Sequence, residues 1–272
     1  MNKSELPRGA LLADTATKLT DDAQGAVIVT GSHGGRYAAY LTLSALPRAV
    51  IHNDAGVGKD EAGIAVLAIA AALGVPAATA SHASCRIGDA EDTVQRGVIS
   101  AANALSGALG VCAGMPCREA ILRLLTADPS NRYPEPCGEV RRVIENHAKK
   151  RIVLVDSASL IDAADAGQIV VTASHGGLVG GDTKMALKAD AFAAVFNDAG
   201  IGMEGAGIRR LPALDARGIA GLTVSAASAR IGDAASAFGE GIISHVNATA
   251  ARLGACPGEP LRPRLLTWMN LP

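Results

Sequence analysis

Val29-Thr30-Gly31-Ser32-His33-Gly34-Gly35 is written a second time, as Val171-Thr172-Ala173-Ser174-His175-Gly176-Gly177. In both places an apolar, β-branched run, Ala26 to Thr30 and Ile169 to Thr172, breaks into Ser-His-Gly-Gly. The pattern is that of a buried strand spilling into a tight loop, where glycine leaves backbone amides open to a ligand. The loop is the first place expected to carry chemistry.

Working outward, the duplication extends along the whole chain. Asp14 and Asp156 are separated by the same 142 positions (156 − 14) as His33 and His175 (175 − 33). Beyond a loop two residues longer in the second copy, Asn53-Asp54-Ala55-Gly56-Val57-Gly58 matches Asn197-Asp198-Ala199-Gly200-Ile201-Gly202 at a spacing of 144 (197 − 53). Ser81-His82-Ala83-Ser84-Cys85-Arg86-Ile87-Gly88-Asp89 then matches Ser225-Ala226-Ala227-Ser228-Ala229-Arg230-Ile231-Gly232-Asp233. Each motif follows an apolar run that reads as a strand: Ala49–His52, Ala193–Phe196, Pro76–Ala80, Gly221–Val224.

Helical segments are expected at 36–46 and 178–188, from about Asp60 to Leu73, and through Val94, Val98, Ala101, Leu105 and Leu109 to a stop at Gly110. In the second copy Pro212 should shorten or kink the corresponding helix, and Phe238, Ile242 and Leu253 lead to the stop at Gly254. The predicted fold class is therefore α/β: two tandem repeats of β-(βαβαβα) type, with largely parallel sheet(s) covered by helices and a pseudo-twofold axis relating the copies. The domains expected are a first repeat over 1–125, a junction over 126–150 with a short helix presenting Val140, Val143, Ile144 and His147, and a second repeat over 151–272.

Composition limits the function. With 49% hydrophobic residues, 19% charged and 31 glycines, the core must be built from Ala, Val, Ile and Leu. A net charge of −1 gives no field for nucleic acid or an anionic membrane, and the N-terminal Met1–Pro7 stretch lacks the apolar run of a signal peptide. A cytoplasmic protein with a small-molecule substrate is the expectation. Five cysteines without a Cys-x-x-Cys pair argue for reduced thiols, and Cys112 and Cys256, also matched, read as small buried apolar groups. Apolar, Ala- and Gly-rich helix faces predict a homo-oligomer.

Ligands of open α/β sheets bind beyond the carboxyl ends of the strands, where all three motifs begin. His33 and His175 are candidate acids or bases. Ser32, Ser174, Ser84 and Ser228 are candidate nucleophiles, the ordinary role of such hydroxyls being to cap a turn or helix. Substrate-binding candidates are the amides of Gly34, Gly35, Gly176 and Gly177, with Asn53, Asp54, Asn197 and Asp198, although Asn and Asp are also common turn formers. Arg86 and Arg230 offer forks for a carboxylate, with Asp89 and Asp233 as competing ion-pair partners. Gly56-Val57-Gly58-Lys59 lacks the spacing of a phosphate loop. His52, His82, His245 and Lys59 have no polar match, and Lys184 and Asp182 lie in the longer loop.

These residues predict an enzyme: a cofactor-free hydrolase, for a C–N bond in a small polar amide or carboxylate-bearing molecule, at the strand rim between the repeats. One alternative adds a divalent metal held by His33, His175, Asp54 and Asp198, with lyase, isomerase or hydrolase chemistry. Another is a non-catalytic module that binds an anionic metabolite.

Overall fold

The computed structural model describes residues 6–144 and 148–271. The protein is α/β, with two mixed, mostly parallel sheets of five and six strands flanked by helices. It divides into two compact units: the first holds the chain up to Asp54 and Gly63–Cys137, the second Ala55–Ala62 and the chain from Gly138 onward.

In the first unit the sheet runs in chain order, β1 (Ala10–Ala13), β2 (Val27–His33), β3 (Ala49–Asn53), β4 (Ala77–Ala80) and β5 (Ile99–Ala102). The first four are parallel and β5 is antiparallel to β4. The helices are α1 (Arg36–Ser44), α2 (Val66–Ala72), α3 (Ala90–Arg96), α4 (Ala104–Ala108) and α5 (Cys117–Leu124). Side-chain alternation divides the core. Val27, Val29 and Ile51 face Val94, Ile121 and Leu124, while Ile28 and Val50 face Leu43 and Val66. A sheet buried on both faces requires the continuous apolar runs seen in the sequence.

The second unit's sheet has the order β11-β10-β9-β8-β7-β6: β6 (Arg141–Ile144), β7 (Ile152–Val155), β8 (Ile169–His175), β9 (Ala193–Asn197), β10 (Ala220–Val224) and β11 (Ile243–Val246). Strands β7 to β10 are parallel, and β6 and β11 close the edges antiparallel. Its helices are α6 (Arg210–Asp215), α7 (Ala234–Glu240), α8 (Ala248–Arg252) and α9 (Leu261–Trp268). Among the described residues no helix is long and apolar enough to cross a membrane.

Several sequence expectations need correction. The long last helix is instead helix, strand, helix. Gly97 and Gly241 end α3 and α7 in extended backbone, and a Cβ on either would collide with the carbonyl of Thr93 or Ala237. The β-branched residues that follow then pair with β4 and β10. The helix expected over 178–188 is a pair of 3-10 turns, Val179–Gly181 and Thr183–Met185. Gly180 and Gly181 are left-handed, and the buried Arg210 guanidinium donates to the carbonyls of Gly177, Met185 and Ala186, holding them out of a helical ladder. The helix begun at Asp60 is a 3-10 turn, Lys59–Ile64, followed by α2. Pro212 stands in the first turn of the short α6, where its missing N–H is not needed. In the junction, Arg141–Ile144 is a strand rather than a helix, with Val140 just ahead of it; His147 lies outside the described residues. Cys112 and Cys256 are exposed, not buried.

Candidate active site

In each unit the three motifs begin where parallel strands stop. His33 closes β2 and pairs in register with Asn53, the last residue of β3, and Asn53 pairs with Ala80 at the end of β4. His175 of β8 pairs likewise with Asn197 of β9. The rim expected from the sequence is thus present within each unit.

The Ser-His-Gly-Gly loop is built differently from the expectation of open amides. Gly34 N–H donates to the Asn53 carbonyl at 3.1 Å and Gly35 N–H to His33 Nδ1 at 3.0 Å. In the second unit Gly176 donates to Asn197 at 2.8 Å and Gly177 to His175 Nδ1 at 3.2 Å. All four donors are thereby spent on the loop itself and the neighbouring strand. The first glycine is required by close approach: a Cβ on Gly34 would lie 2.6 Å from the Gly63 carbonyl, and one on Gly176 would collide with that of Gly207. Gly34→Ala and Gly176→Ala should each destabilise by about 1–3 kcal/mol through overpacking. Urea unfolding is the check, with Gly107→Ala, which has open space around it in α4, as the control expected to be neutral or mildly stabilising.

The same bonds fix two tautomers. Because Nδ1 of His33 and His175 accepts an amide proton, each neutral ring carries its own proton on Nε2 and presents a donor there. Burial, with His52 beside it, pushes His33 down to about 4, so it is neutral at pH 7. Either ring would have to surrender its glycine amide to offer Nε2 as a lone pair. That disfavours both as bases and as metal ligands. Among the described residues no group of three or more His, Cys, Asp or Glu is arranged around a common point for a metal.

Among the described residues none of the four serines bonds an imidazole. Ser32 Oγ accepts the Ala16 amide and Ser174 Oγ the Ala158 amide, both at 2.9 Å, tying the turn after each unit's first parallel strand to the rim. Ser84 Oγ donates to the Ser81 carbonyl at 2.8 Å and accepts Val98 N–H at 2.9 Å; Ser228 repeats this with Ser225 and Ile242. These hydroxyls pin the turn that leads into α3 or α7. Arg86 lies against Asp89 (2.9 Å) and Asp92 (3.1 Å), and Arg230 against Asp60 (2.7 Å), Asp233 (3.5 Å) and Glu240 (3.4 Å). Both guanidiniums are charge-compensated by the protein itself, as the competing ion-pair reading had it.

The Asn-Asp-Ala-Gly-x-Gly motif is strained. Ala55, Gly56, Val57 and Gly58 have φ of 48°, 76°, 61° and 71°, and Ala199, Gly200, Ile201 and Gly202 have 50°, 72°, 65° and 70°. Four successive left-handed residues, one of them β-branched, cost about 1–2 kcal/mol at each non-glycine position. Side chains of the motif hold the second turn: Asn197 Oδ1 accepts Ala199 N–H at 2.9 Å and Asp198 Oδ1 accepts Gly200 N–H at 3.0 Å. Asn197 Nδ2 donates to the Ala229 carbonyl at 3.0 Å, while Asn53 Nδ2 donates to Cys85 Sγ at 3.6 Å.

The residues that distinguish the units are the unmatched histidines. Asp198 Oδ1 accepts the Ala226 amide at 2.9 Å, and Asp54 Oδ1 accepts the equivalent His82 amide at the same distance. In the first unit alone, the His82 ring adds Nδ1 to the same oxygen at 2.8 Å. Asp54 is 2% exposed and the His82 side chain 29% exposed, so a buried carboxylate orients a partly accessible imidazole. His52, fully buried, bridges the His33 carbonyl (Nδ1, 3.0 Å) and Thr42 Oγ1 (Nε2, 3.0 Å), where the second unit has Phe196. Burial pushes His52 down to about 4, against the opposing pull of its bond to the His33 carbonyl. Lys184 and His245 belong to the other unit. The Lys184 amide is capped by Asp182, and His245 Nδ1 is enclosed without a hydrogen bond among the described residues.

No family model matches the chain, and neither does any curated protein or solved structure with which it was compared. The chemistry of the site therefore rests on its own residues.

Proposed function

We propose that this chain is a cofactor-free enzyme that hydrolyses a C–N bond in a small amide- or carboxylate-bearing molecule, with His82 as general base. The observation that carries the reading is the 2.8 Å bond between Asp54 Oδ1 and His82 Nδ1. It places the neutral ring's proton on Nδ1 and its lone pair on Nε2, the tautomer opposite to that of His33. His82 Nε2 takes a proton from water as the water oxygen bonds to the amide carbon. The resulting imidazolium, facing the buried carboxylate, returns that proton to the departing nitrogen as the C–N bond breaks. His33, neutral and with N–H at Nε2, is the donor suited to the carbonyl oxygen as it gains charge.

The same proposal takes the two halves as copies of one fold. The half that retains an imidazole beside its aspartate does the chemistry, and Ala226 marks the half that does not. The test is a screen of the purified chain against small amides and ureides, followed by mass-spectrometric detection of both cleavage products. His82→Ala should abolish the product with circular dichroism unchanged. Product formed at the parental rate by that variant would remove His82 from the mechanism. Ligand-dependent stabilisation without any product would favour the binding-module reading instead.

A further inference from the structure

The second unit carries a cavity unrelated to the rim. The antiparallel strand β6 extends the sheet beyond β7, and a cavity of about 330 Å³ is lined by these two strands together with α7 and α9. Ile144, Leu154 and Phe238 supply its apolar surface together with Leu266 of α9, which is 36% exposed. Arg142 and Arg262 flank it. The Arg262 guanidinium lies 5.5 Å from the centre of the Phe238 ring. Among the described residues the side chains of Arg142 and Arg262 have neither an ion pair nor a hydrogen bond, whereas Arg86, Arg96, Arg123, Arg141, Arg209, Arg217, Arg230 and Arg264 all lie against carboxylates.

We propose that this cavity binds an amphipathic anion, a small molecule with an oxyanion head and an apolar body. The body fits the Ile144, Leu154 and Leu266 surface, and the head meets the two uncompensated guanidiniums at the rim. The volume lies within the roughly 300–1,000 Å³ usual for small-molecule sites. Two planar cations beside an apolar floor match a carboxylate-headed ligand better than either a neutral apolar molecule or a bare ion, because each of those leaves half the site unsatisfied.

Titration calorimetry with octanoate, 1-octanol and acetate separates the contributions. Octanoate should bind about tenfold or more tightly than octanol, and acetate should not bind measurably. Arg142→Gln and Arg262→Gln should each weaken octanoate by roughly tenfold while leaving octanol unchanged. Both positions are at the surface, so the variants should fold, and circular dichroism checks this. Octanoate binding no tighter than octanol, or unaffected by either substitution, overturns the proposal. So does sedimentation of the chain as a dimer that Leu266→Glu dissociates and octanoate leaves intact, since the cavity would then be covered by a second copy.

Discussion

Replacing Asp54 by asparagine is expected to lower turnover by roughly two to four orders of magnitude while leaving the fold in place. Both contacts to His82, from its amide at 2.9 Å and from its ring at 2.8 Å, are made to the same carboxylate oxygen, Oδ1. Asparagine keeps an oxygen there, so the turn and the ring orientation survive. What is lost is the negative charge that, in the proposed mechanism, faces the imidazolium formed when His82 takes a proton. At 2% exposure that charge acts through a medium much less screening than water. Asp198→Asn is the matched control, because Asp198 Oδ1 accepts two backbone amides and no imidazole. It should leave turnover within a few-fold of the parent while changing the melting temperature about as much as Asp54→Asn does. The comparison needs kcat and a thermal melt for both variants. Equal losses of turnover would reduce Asp54 to a turn former.

The strands were legible because a sheet buried on both faces demands runs such as Val27–Val29 and Ile169–Val171, which no amphipathic helix would tolerate. The last segment of each unit was not. Val94, Val98, Ala101, Leu105 and Leu109 fall at helical spacing even though a strand interrupts them, and the signal that breaks the pattern is one glycine, Gly97, whose carbonyl contact is invisible in sequence. At the rim, repetition marked residues of two kinds, those that hold the turns and those on which the proposed chemistry draws. The matched serines and arginines make the same local contacts in both halves: Ser84 and Ser228 pin backbone, and Arg86 and Arg230 meet carboxylates. The proposed base is by contrast unmatched, His82 standing where the second copy has Ala226. What could not be read is that Asp54 lies beneath it, since that contact spans 28 residues and depends on β3 and β4 being neighbours.

The buried His52 should make the protein acid-sensitive in a window that one substitution removes. Its side chain has no solvent contact, and burial brings it from the ordinary 6.5 down to about 4. Above pH 6.5 neither the folded nor the unfolded chain holds a proton at this ring, and it contributes no pH dependence. Between pH 6.5 and 4 the unfolded chain takes up a proton that the folded ring refuses, so stability falls as pH falls, by about 1.4 kcal/mol per pH unit. Below pH 4 both states are protonated and the loss is complete, at roughly 3 kcal/mol. His33, lowered to about 4 by the same burial, acts in the same direction and window. His52→Phe installs the residue found at the matching Phe196 and deletes one titrating group. It surrenders the donor to the His33 carbonyl, costing about 1 kcal/mol at pH 7, while Thr42 Oγ1 keeps the carbonyls of Ala38 and Ala39 as acceptors. Urea unfolding at pH 7, 6 and 5 should therefore show a lower stability for the variant at pH 7 but a shallower decline, so that the two chains converge or cross near pH 6. Parallel declines would mean that the folded protein protonates His52 as readily as the unfolded chain does, so that burial does not hold the ring neutral.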